Sequence, residues 1–188
     1  MTLKRIFDFS LACILSALFL LPGLILCLVI KLTSKGPVIY WSDRVGKNNT
    51  IFKMPKFRTM IKETPSLATH LLKNPKFYLT PIGSFLRKSS LDEMPQLLSI
   101  LVGNMSFVGP RPALFNQTDL IRMRNKMGIS TLCPGLTGWA QVNGRDELTL
   151  KEKVNLEVEY LHRNSFIFDL KILWITLLRV INKQNISH

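Results

Sequence analysis

The feature that most constrains this chain is an uncharged apolar stretch near its N-terminus. No charged residue occurs between Phe9 and Ile30, and Ser10 and Ser16 are the only hydroxyl side chains there. As an α-helix the stretch would be roughly 33 Å long, enough to cross the hydrocarbon core of a bilayer. A cleaved signal peptide would have a shorter apolar run and a small-residue cleavage site, which does not precede Lys31. A soluble protein would have to bury such a helix on all sides. We therefore predict a membrane segment.

The middle and the flanks of this stretch favour a re-entrant hairpin over a straight span. Pro22 lacks a backbone N–H and its ring clashes with the carbonyl group four residues earlier, so we expect a bend at Pro22-Gly23. Basic residues, which favour the cytoplasmic side of a membrane, lie at both ends of the stretch. They are Lys4 and Arg5 before it and Lys31, Lys35, Arg44 and Lys47 after it. A segment that enters and returns keeps both flanks on one side, whereas a single span remains the alternative.

The basic composition predicts an anionic partner. The 188 residues include 25 Lys and Arg against 12 Asp and Glu, a formal net charge of +13, and the basic residues are scattered along the chain. Nucleic acid, an acidic membrane surface and a phosphate-bearing substrate would all satisfy this charge. A nucleic-acid-binding protein should interleave aromatic with basic residues, and the one aromatic cluster, Tyr40-Trp41, fits a strand better. We therefore expect no nucleic-acid partner.

The remainder of the chain predicts an α+β, mostly helical domain. Apolar runs on either side of a Gly/Asn-rich segment near residue 48 predict a β-hairpin. Residues 62–77 are polar and irregular, and residues 132–146 predict a structured loop. Helices are predicted over residues 90–101, 116–127, 150–161 and 166–181. The stretch 150–161 is ambiguous, because its apolar residues alternate as in a strand whereas its Lys and Glu content favours helix. The last of these fits either a core helix or an interfacial helix with its apolar face in lipid.

An adjacent pair of carboxylates is the most suggestive local feature for chemistry. Ser90 and Glu93 have capping-box spacing, which places Asp92 and Glu93 in a first helical turn unless Pro95 begins the helix instead. Most such pairs only complement the helix dipole. Here, however, Pro- and Gly-framed arginines accompany the pair. One guanidinium group can bind two phosphate oxygens at once, and a carboxylate can attack phosphorus. This combination therefore indicates a site that binds phosphates and reacts with them.

Several motifs in a fixed order resemble the bacterial sugar transferase family, the monotopic phosphoglycosyl transferases. The resemblance runs from about Leu3 to Arg179 and is to the minimal form of the family, without an additional transmembrane bundle. The motifs are Lys4-Arg5-Ile6-Phe7-Asp8, Gly36-Pro37-Val38, Lys56-Phe57-Arg58-Thr59-Met60, Leu86-Arg87, Ser90-Leu91-Asp92-Glu93-Met94-Pro95-Gln96-Leu97, Met105-Ser106-Phe107-Val108-Gly109-Pro110-Arg111-Pro112 and Pro134-Gly135-Leu136-Thr137-Gly138-Trp139-Ala140-Gln141-Val142-Asn143-Gly144-Arg145.

This resemblance implies an architecture and a location. Residues 1–35 would form a re-entrant membrane anchor, and residues 36–188 a catalytic domain with a small β-hairpin and interfacial amphipathic helices, the two forming one integrated unit. The protein would be monotopic in the bacterial cytoplasmic membrane, with its active site on the cytoplasmic face. Membrane lipids would be partners, and the resemblance leaves a homodimer open.

The resemblance also implies a double-displacement reaction. Asp92 matches the nucleophile, which attacks the β-phosphate of a UDP-sugar, expels UMP and forms a phosphosugar-aspartate. Polyprenyl (undecaprenyl) phosphate then takes the sugar phosphate, which initiates assembly of a glycoconjugate. Glu93 matches a partner carboxylate that acts as a base or positions the acceptor, and Mg²⁺ is expected at Asp92. Substrate and phosphate contacts are expected from Arg58, Arg87, Pro110, Arg111, Pro112 and Arg145.

The sequence departs from the family pattern at a few positions, and two alternative functions are compatible with its composition. Ser42, Val102 and Leu150 replace more usual residues, and Asn104 stands where an Asp is usual, which would remove a carboxylate near the site. The alternatives are a membrane-tethered nucleic-acid-binding protein and a noncatalytic membrane scaffold. Neither explains Asp92-Glu93 among its arginines. Which UDP-sugar is the donor does not follow from any residue.

Overall fold

The computed structural model describes residues 2–62, 64, 74–144 and 147–181, and in this part of the chain the protein is α+β and mostly helical, as predicted. The helices are α1 (Leu3–Leu18), α2 (Leu20–Thr33), α3 (Gly83–Lys88), α4 (Gln96–Val102), α5 (Thr118–Lys126), α6 (Leu150–Arg163) and α7 (Phe166–Ile181). The strands are β1 (Ile39–Val45), β2 (Ile51–Phe57), β3 (Ser106–Val108), β4 (Ala113–Leu114) and β5 (Gly135–Thr137).

The N-terminal apolar stretch is broken into α1 and α2, and the second helix is bent by 59° from the direction of the first. No helix in the described ranges is by itself long and apolar enough to cross a membrane, and only this bent pair meets those criteria together. The break lies at Phe19, slightly before the predicted position, and Pro22 is the third residue of α2. Because Pro22 cannot donate to the Leu18 carbonyl and its ring crowds that group, the distortion falls in the turn that precedes the proline.

Both halves of the bent pair pack on the rest of the protein. Arg5 of α1 donates hydrogen bonds to the carbonyl groups of Ile100 and Leu101, at 2.6 Å in the second case, and so satisfies the C-terminal end of α4. Lys4 forms an ion pair with buried Asp169 of α7. These two basic residues, whose charges suggested a membrane flank, therefore also connect α1 to α4 and α7.

The predicted hairpin is confirmed as β1 and β2, which pair antiparallel from Ile39↔Phe57 to Val45↔Ile51. Asn48 and Asn49 in the connecting turn have φ values of 54° and 62°, a left-handed conformation that asparagine tolerates better than most residues. β4 adds antiparallel to the other side of β1, giving the order β2-β1-β4, and β3 and β5 form a separate parallel pair.

Three glycines let the segments around β3 and β5 approach one another closely. A Cβ atom on Gly109 would lie 2.2 Å from the carbonyl oxygen of Cys133, and one on Gly135 would lie 2.1 Å from the backbone nitrogen of Gly109. A Cβ atom on Gly138 would meet the Gly109 carbonyl at 2.1 Å. Backbone contacts this close exclude any side chain, so these motif glycines are explained by packing.

The other predicted elements are largely confirmed. Helices occupy most of residues 116–127 and all of 166–181, and the ambiguous stretch from Leu150 is α6. A capping box between Thr149 and Glu152 begins α6 and outweighs the strand-like alternation of its apolar residues. The predicted loop at 132–146 contains the short strand β5, and most of the irregular stretch 62–77 lies outside the described residues.

Candidate active site

The Asp92-Glu93 pair lies on a short 3₁₀ turn and not in the first turn of an α-helix. Ser90 adopts φ 57°, ψ 15° and makes no side-chain capping bond, so the predicted capping box is wrong. The turn Leu91–Glu93 ends at Met94, and α4 begins at Gln96 directly after Pro95. Proline fits the start of a helix because it has no N–H to leave unpaired. The carboxylates therefore precede the helix that the sequence predicted to contain them.

Glu93 is held by two cations from distant parts of the chain. Lys56 Nζ of β2 lies 2.8 Å, and Arg111 Nη2 lies 2.7 Å, from the same oxygen, Oε1 of Glu93. Although burial alone would raise the pKa of Glu93, the charges and hydrogen bonds of Arg111 and Lys56 hold that pKa well below its usual range. Glu93 is therefore a permanently ionised carboxylate at neutral pH.

Asp92 has the opposite electrostatic character. It is buried, and among the described residues no side chain donates a hydrogen bond to it; its nearest cation is Lys56, with Nζ 3.7 Å from Oδ2. Burial raises the pKa of Asp92 above the usual aspartate value; the neighbouring charge of Glu93 also raises it, whereas Lys56, Arg87 and Arg111 lower it. In many enzymes two neighbouring carboxylates have environments that push their pKa values apart, and each then has a different catalytic role.

Two further arginines border the pair. Arg87 at the end of α3 donates from Nε to Thr59 Oγ1 at 3.0 Å; burial lowers the pKa of its guanidinium and the charge of Asp92 raises it. Arg44 of β1 donates to the Pro112 carbonyl at 3.0 Å. Burial, and then repulsion from Arg111, lowers the pKa of Arg44 to about 10, so it remains charged at neutral pH. The site therefore concentrates positive charge around two carboxylates.

The predicted phosphate-contacting residues fall into two groups. Arg87, Arg111 and the flanking Pro110 and Pro112 lie around the carboxylate pair or in the loop that presents Arg111 to Glu93. Arg58 has a different role in this structure: its guanidinium donates to the Ser34 and Lys35 carbonyl oxygens at 2.8 and 2.9 Å and to Ser34 Oγ. Arg145 lies outside the described residues.

Arg58 instead ties the end of α2 to β2. It is buried, and the chain passes over it at Gly36, which has φ 119° and whose missing Cβ would lie 2.3 Å from Arg58 Nη1. The phosphate contact expected of Arg58 is therefore not supported, because the terminal nitrogens of this side chain already bind the chain segment after α2. Sequence order alone could not separate Arg58 from Arg87.

Lys56 and Arg44 are site residues that the sequence analysis did not single out. Alternation along the hairpin offers a signal, because Lys56 pairs with Tyr40, and Arg44, four residues from Tyr40, lies on the same face of the sheet. One face of β1 and β2 thus supplies two cations to the site. Lys53, on the opposite face of β2, pairs instead with the partly exposed Asp43.

The described residues contain no group of three or more His, Cys, Asp and Glu side chains that could hold a metal ion. Asn104, expected near the site, is exposed in the turn that follows Gly103 at the C-terminal end of α4. The carboxylate pair precedes the N-terminal end of that helix, so the expectation that Asn104 removes a carboxylate near the site is wrong. The seven residues of α4 therefore separate the carboxylate pair from Asn104.

Known proteins have sequences related to this chain. The model of the bacterial sugar transferase family matches residues 1–183. A protein named uncharacterized sugar transferase EpsL, from Bacillus subtilis (strain 168), is 38% identical over 187 residues, covering 100% of this chain and 91% of that protein. The exopolysaccharide production protein ExoY of Sinorhizobium fredii is 35% identical over 190 residues, covering 93% of this chain and 83% of that protein.

A longer relative carries an explicit activity in its name. The UDP-glucose:undecaprenyl-phosphate glucose-1-phosphate transferase of Escherichia coli (strain K12) is 38% identical over 188 residues, covering 94% of this chain but 40% of that protein. The matched part of that enzyme is thus equivalent to nearly all of the present chain. Because the family match covers almost the whole sequence, the resemblance seen in the motifs is confirmed, and the chain belongs to the bacterial sugar transferase family.

Proposed function

We propose that this protein is a phosphoglycosyl transferase that moves a sugar 1-phosphate from a UDP-sugar to undecaprenyl phosphate and releases UMP. The observation that carries the proposal is the unequal pair Asp92-Glu93, in which one carboxylate is neutralised by two cations and its neighbour is buried and has no hydrogen bond from a side chain of the described residues. The named activity of the Escherichia coli relative supports the same reaction.

In the first step Asp92 acts as the nucleophile. A carboxylate oxygen attacks the β-phosphorus of the donor, the bond between that phosphorus and the bridging oxygen breaks, and UMP leaves with the bridging oxygen. The product is an acyl phosphate between Asp92 and the sugar phosphate. A carboxylate that is poorly solvated is a better nucleophile than one fixed by hydrogen bonds, and the surroundings of Asp92 meet that condition.

In the second step a phosphate oxygen of the lipid acceptor attacks the same phosphorus and displaces Asp92. This oxygen is already anionic at neutral pH because the second pKa of a phosphate monoester is about 6. No base is then needed to activate the acceptor. Glu93, whose pKa is strongly lowered, is poorly suited to take up a proton, so we do not favour its expected role as a base. Its other expected role is to position the acceptor, and it would do so through Lys56 and Arg111, which it holds beside the reacting phosphates.

The cations around the pair are suited to stabilise a phosphoryl group in transit. Lys56, Arg87 and Arg111 all act electrostatically on Asp92, and Arg111 and Arg87 carry forked donors that match phosphate oxygens. Phosphoryl transfer depends mainly on positioning and on charge stabilisation of this kind. Arg145 is included among these phosphate-binding cations only because it matches the family motif.

Magnesium is proposed as the metal. Mg²⁺ is usually held by one or two carboxylates together with substrate phosphates and water, so a site without three protein ligands fits its chemistry. Asp92 supplies a hard oxygen ligand that no described side chain occupies with a hydrogen bond. When bound, the ion would offset the negative charge of the diphosphate.

We propose that the protein is monotopic in the cytoplasmic membrane, with both chain ends on the cytoplasmic face. The exposed apolar surface of its helices supports this position. Large apolar side chains are exposed along α1, α2 and α7, among them Leu18, Leu21, Leu28, Ile167 and Trp174. Apolar surface on this scale marks a membrane or protein contact. Leu91 and Met94, on either side of Asp92-Glu93, belong to the same apolar cluster as Leu26 and Ile30 of α2, which would hold the carboxylates near the depth of a lipid phosphate.

The proposal is tested by trapping the intermediate. Purified protein in detergent is incubated with Mg²⁺ and a panel of UDP-sugars without any acceptor, and its intact mass is measured. One donor should add the mass of a sugar phosphate and release one equivalent of UMP, and Asp92→Asn protein should gain no mass. If the wild-type protein forms no adduct with any donor, the covalent mechanism is wrong. UMP release that requires the lipid acceptor would indicate a direct transfer instead.

A further inference from the structure

The loop that carries Arg111 is held in place through its own backbone. Pro110 and Pro112 have fixed φ angles and no N–H groups, so the loop has few backbone donors with which to hold itself. All three of its carbonyl groups instead accept hydrogen bonds from other parts of the chain. The donors are Gly135 N to Pro110 O at 2.9 Å, Arg124 Nη2 to Arg111 O at 3.0 Å, and Arg44 Nη1 to Pro112 O at 3.0 Å.

The central donor, Arg124, is itself fixed from two sides. It lies on α5 and is buried, and its guanidinium forms a bidentate pair with buried Glu157 of α6, with Nε 2.8 Å from Oε2 and Nη2 bound to Oε1. Nη2 also makes the bond to the Arg111 carbonyl. A forked, planar donor that satisfies a carboxylate with two nitrogens has its orientation set by that carboxylate. Glu157 therefore aims Arg124 at the loop.

A chain of contacts thus runs from α6 to the reacting pair. Glu157 orients Arg124, Arg124 holds the backbone of Arg111, and Arg111 reaches Glu93 at 2.7 Å. Buried ion pairs stabilise a fold only weakly, because the cost of desolvation offsets the attraction. Fixing the direction of a neighbouring group is a better explanation for a buried pair in this position. We propose that Arg124, aimed by Glu157, is a positioning residue that sets Arg111 against Glu93.

Arg124→Lys is the variant that separates positioning from stability. Lysine keeps the positive charge, so it still pairs with Glu157 and avoids leaving a buried carboxylate unpaired. Its single nitrogen on a shorter side chain cannot match the planar fork that now binds both oxygens of Glu157 and the Arg111 carbonyl. The matched control is Arg163→Lys, which changes another arginine–glutamate pair, Arg163 with Glu159, whose side chains are 48% and 40% exposed.

The first measurement does not depend on any activity. Protein in lipid nanodiscs is treated with phenylglyoxal, and modification of Arg111 is followed by peptide mass spectrometry. The Arg111 side chain is accessible enough to react, at 35% exposure, but its pairing with Glu93 should slow the reaction. Arg124→Lys should accelerate modification of Arg111 several-fold, towards the rate seen in Glu93→Gln, and Arg163→Lys should leave it unchanged. An unchanged rate in Arg124→Lys overturns the proposal.

The second measurement rests on the proposed function and asks whether Arg124 acts through Arg111. Arg124→Lys should lower kcat/KM for the UDP-sugar by about 10- to 100-fold in the wild-type background and should cause no further loss in Arg111→Ala. Losses that simply multiply would overturn the positioning role. If the wild-type protein releases no UMP from any donor, the proposed function fails, and the Arg111 modification rates still decide the role of Arg124.

Discussion

Lys56 Nζ lies 3.7 Å from Asp92 Oδ2, close enough for an ion pair but too far for a hydrogen bond. Lys56 therefore favours ionisation of Asp92 without forming a hydrogen bond to the oxygen that attacks phosphorus in the proposed mechanism. Its hydrogen bond goes to Glu93 instead. Lys56 thus forms a hydrogen bond with Glu93 but only a longer ion pair with Asp92. This difference leads to a pH-dependent prediction.

Lys56→Met should shift the acidic limb of the pH–rate profile to higher pH. In the proposed mechanism Asp92 must be ionised to attack. Burial already raises the pKa of Asp92, and Lys56 is the charge that most lowers it. Without Lys56 the pKa rises further, so a smaller fraction of Asp92 is ionised at any given acidic pH. The measurement is kcat/KM for UMP release against pH. Lys53→Met, which changes the exposed pair with Asp43, is the control and should leave the profile in place.

Asp92→Asn should reduce UMP release by at least about 1,000-fold, because an amide cannot form the acyl phosphate. It should not lower the thermal stability in detergent. Since the folded-state pKa of Asp92 is raised, ionising this group costs the folded protein stability as pH rises, and a neutral amide removes that cost at pH 7. Turnover retained by the variant would remove Asp92 as the nucleophile, and a large drop in Tm would contradict the electrostatic argument.

Glu93→Gln should destabilise the protein at neutral pH and do so less under acidic conditions. The folded-state pKa of Glu93 is lowered, so its ion pairs contribute stability above the unfolded-state pKa of about 4.3, and that contribution is lost as pH falls through the folded-state pKa. Loss of the charge leaves Lys56 and Arg111 without their shared partner, at a cost of about 1–3 kcal/mol.

The measurement is Tm in detergent at several pH values for the wild type, Glu93→Gln and the exposed control Glu147→Gln. The gap between wild type and Glu93→Gln should be widest at neutral pH and should narrow towards pH 3. A gap that is independent of pH would mean that packing, and not ionisation, accounts for the loss. Glu147→Gln should follow the wild type throughout.

Gly36→Ala should loosen the connection between α2 and β1. The residue has φ 119°, and an added Cβ would lie 2.3 Å from Arg58 Nη1, so both the backbone and the guanidinium would have to move. The expected cost is about 1–3 kcal/mol, seen as a lower Tm. Gly23→Ala in α2 is the matched control, because its Cβ would meet only Met94 Cε at 3.7 Å and alanine favours helix. Equal effects of the two changes would contradict the role given to Arg58.

Topology distinguishes a re-entrant anchor from a single span. Tags placed at the N-terminus and at the C-terminus should both be accessible from the cytoplasm, because in the monotopic proposal the 59° bend between α1 and α2 lets the chain enter the membrane and leave it on the same face. The measurement is protease or antibody access in inverted and right-side-out membrane vesicles. Protection of the N-terminal tag in inverted vesicles would indicate a full span and would refute the monotopic proposal.

Local sequence signals determined which elements form. The apolar period of residues 166–181, the Asn-rich turn between two strands and the Pro22 bend all depend on contacts between residues near one another in the chain, and each is present in the structure. Motif order likewise identified the family and drew attention to Asp92 and Glu93. The capping box predicted from the spacing of Ser90 and Glu93 is wrong, because Ser90 adopts a left-handed conformation and makes no capping bond.

Tertiary structure alone decided how the site is charged. Lys56 and Glu93 are 37 residues apart, and no local pattern shows that they bond, that Arg58 turns instead to Ser34, or that Arg124 supports Arg111. The ionisation of Asp92 and Glu93 depends on burial and on charges brought from separate elements. The sequence therefore specified the reactive groups, and the fold set the pKa values of Asp92 and Glu93, because Coulomb interactions and desolvation depend on distance in space and not along the chain.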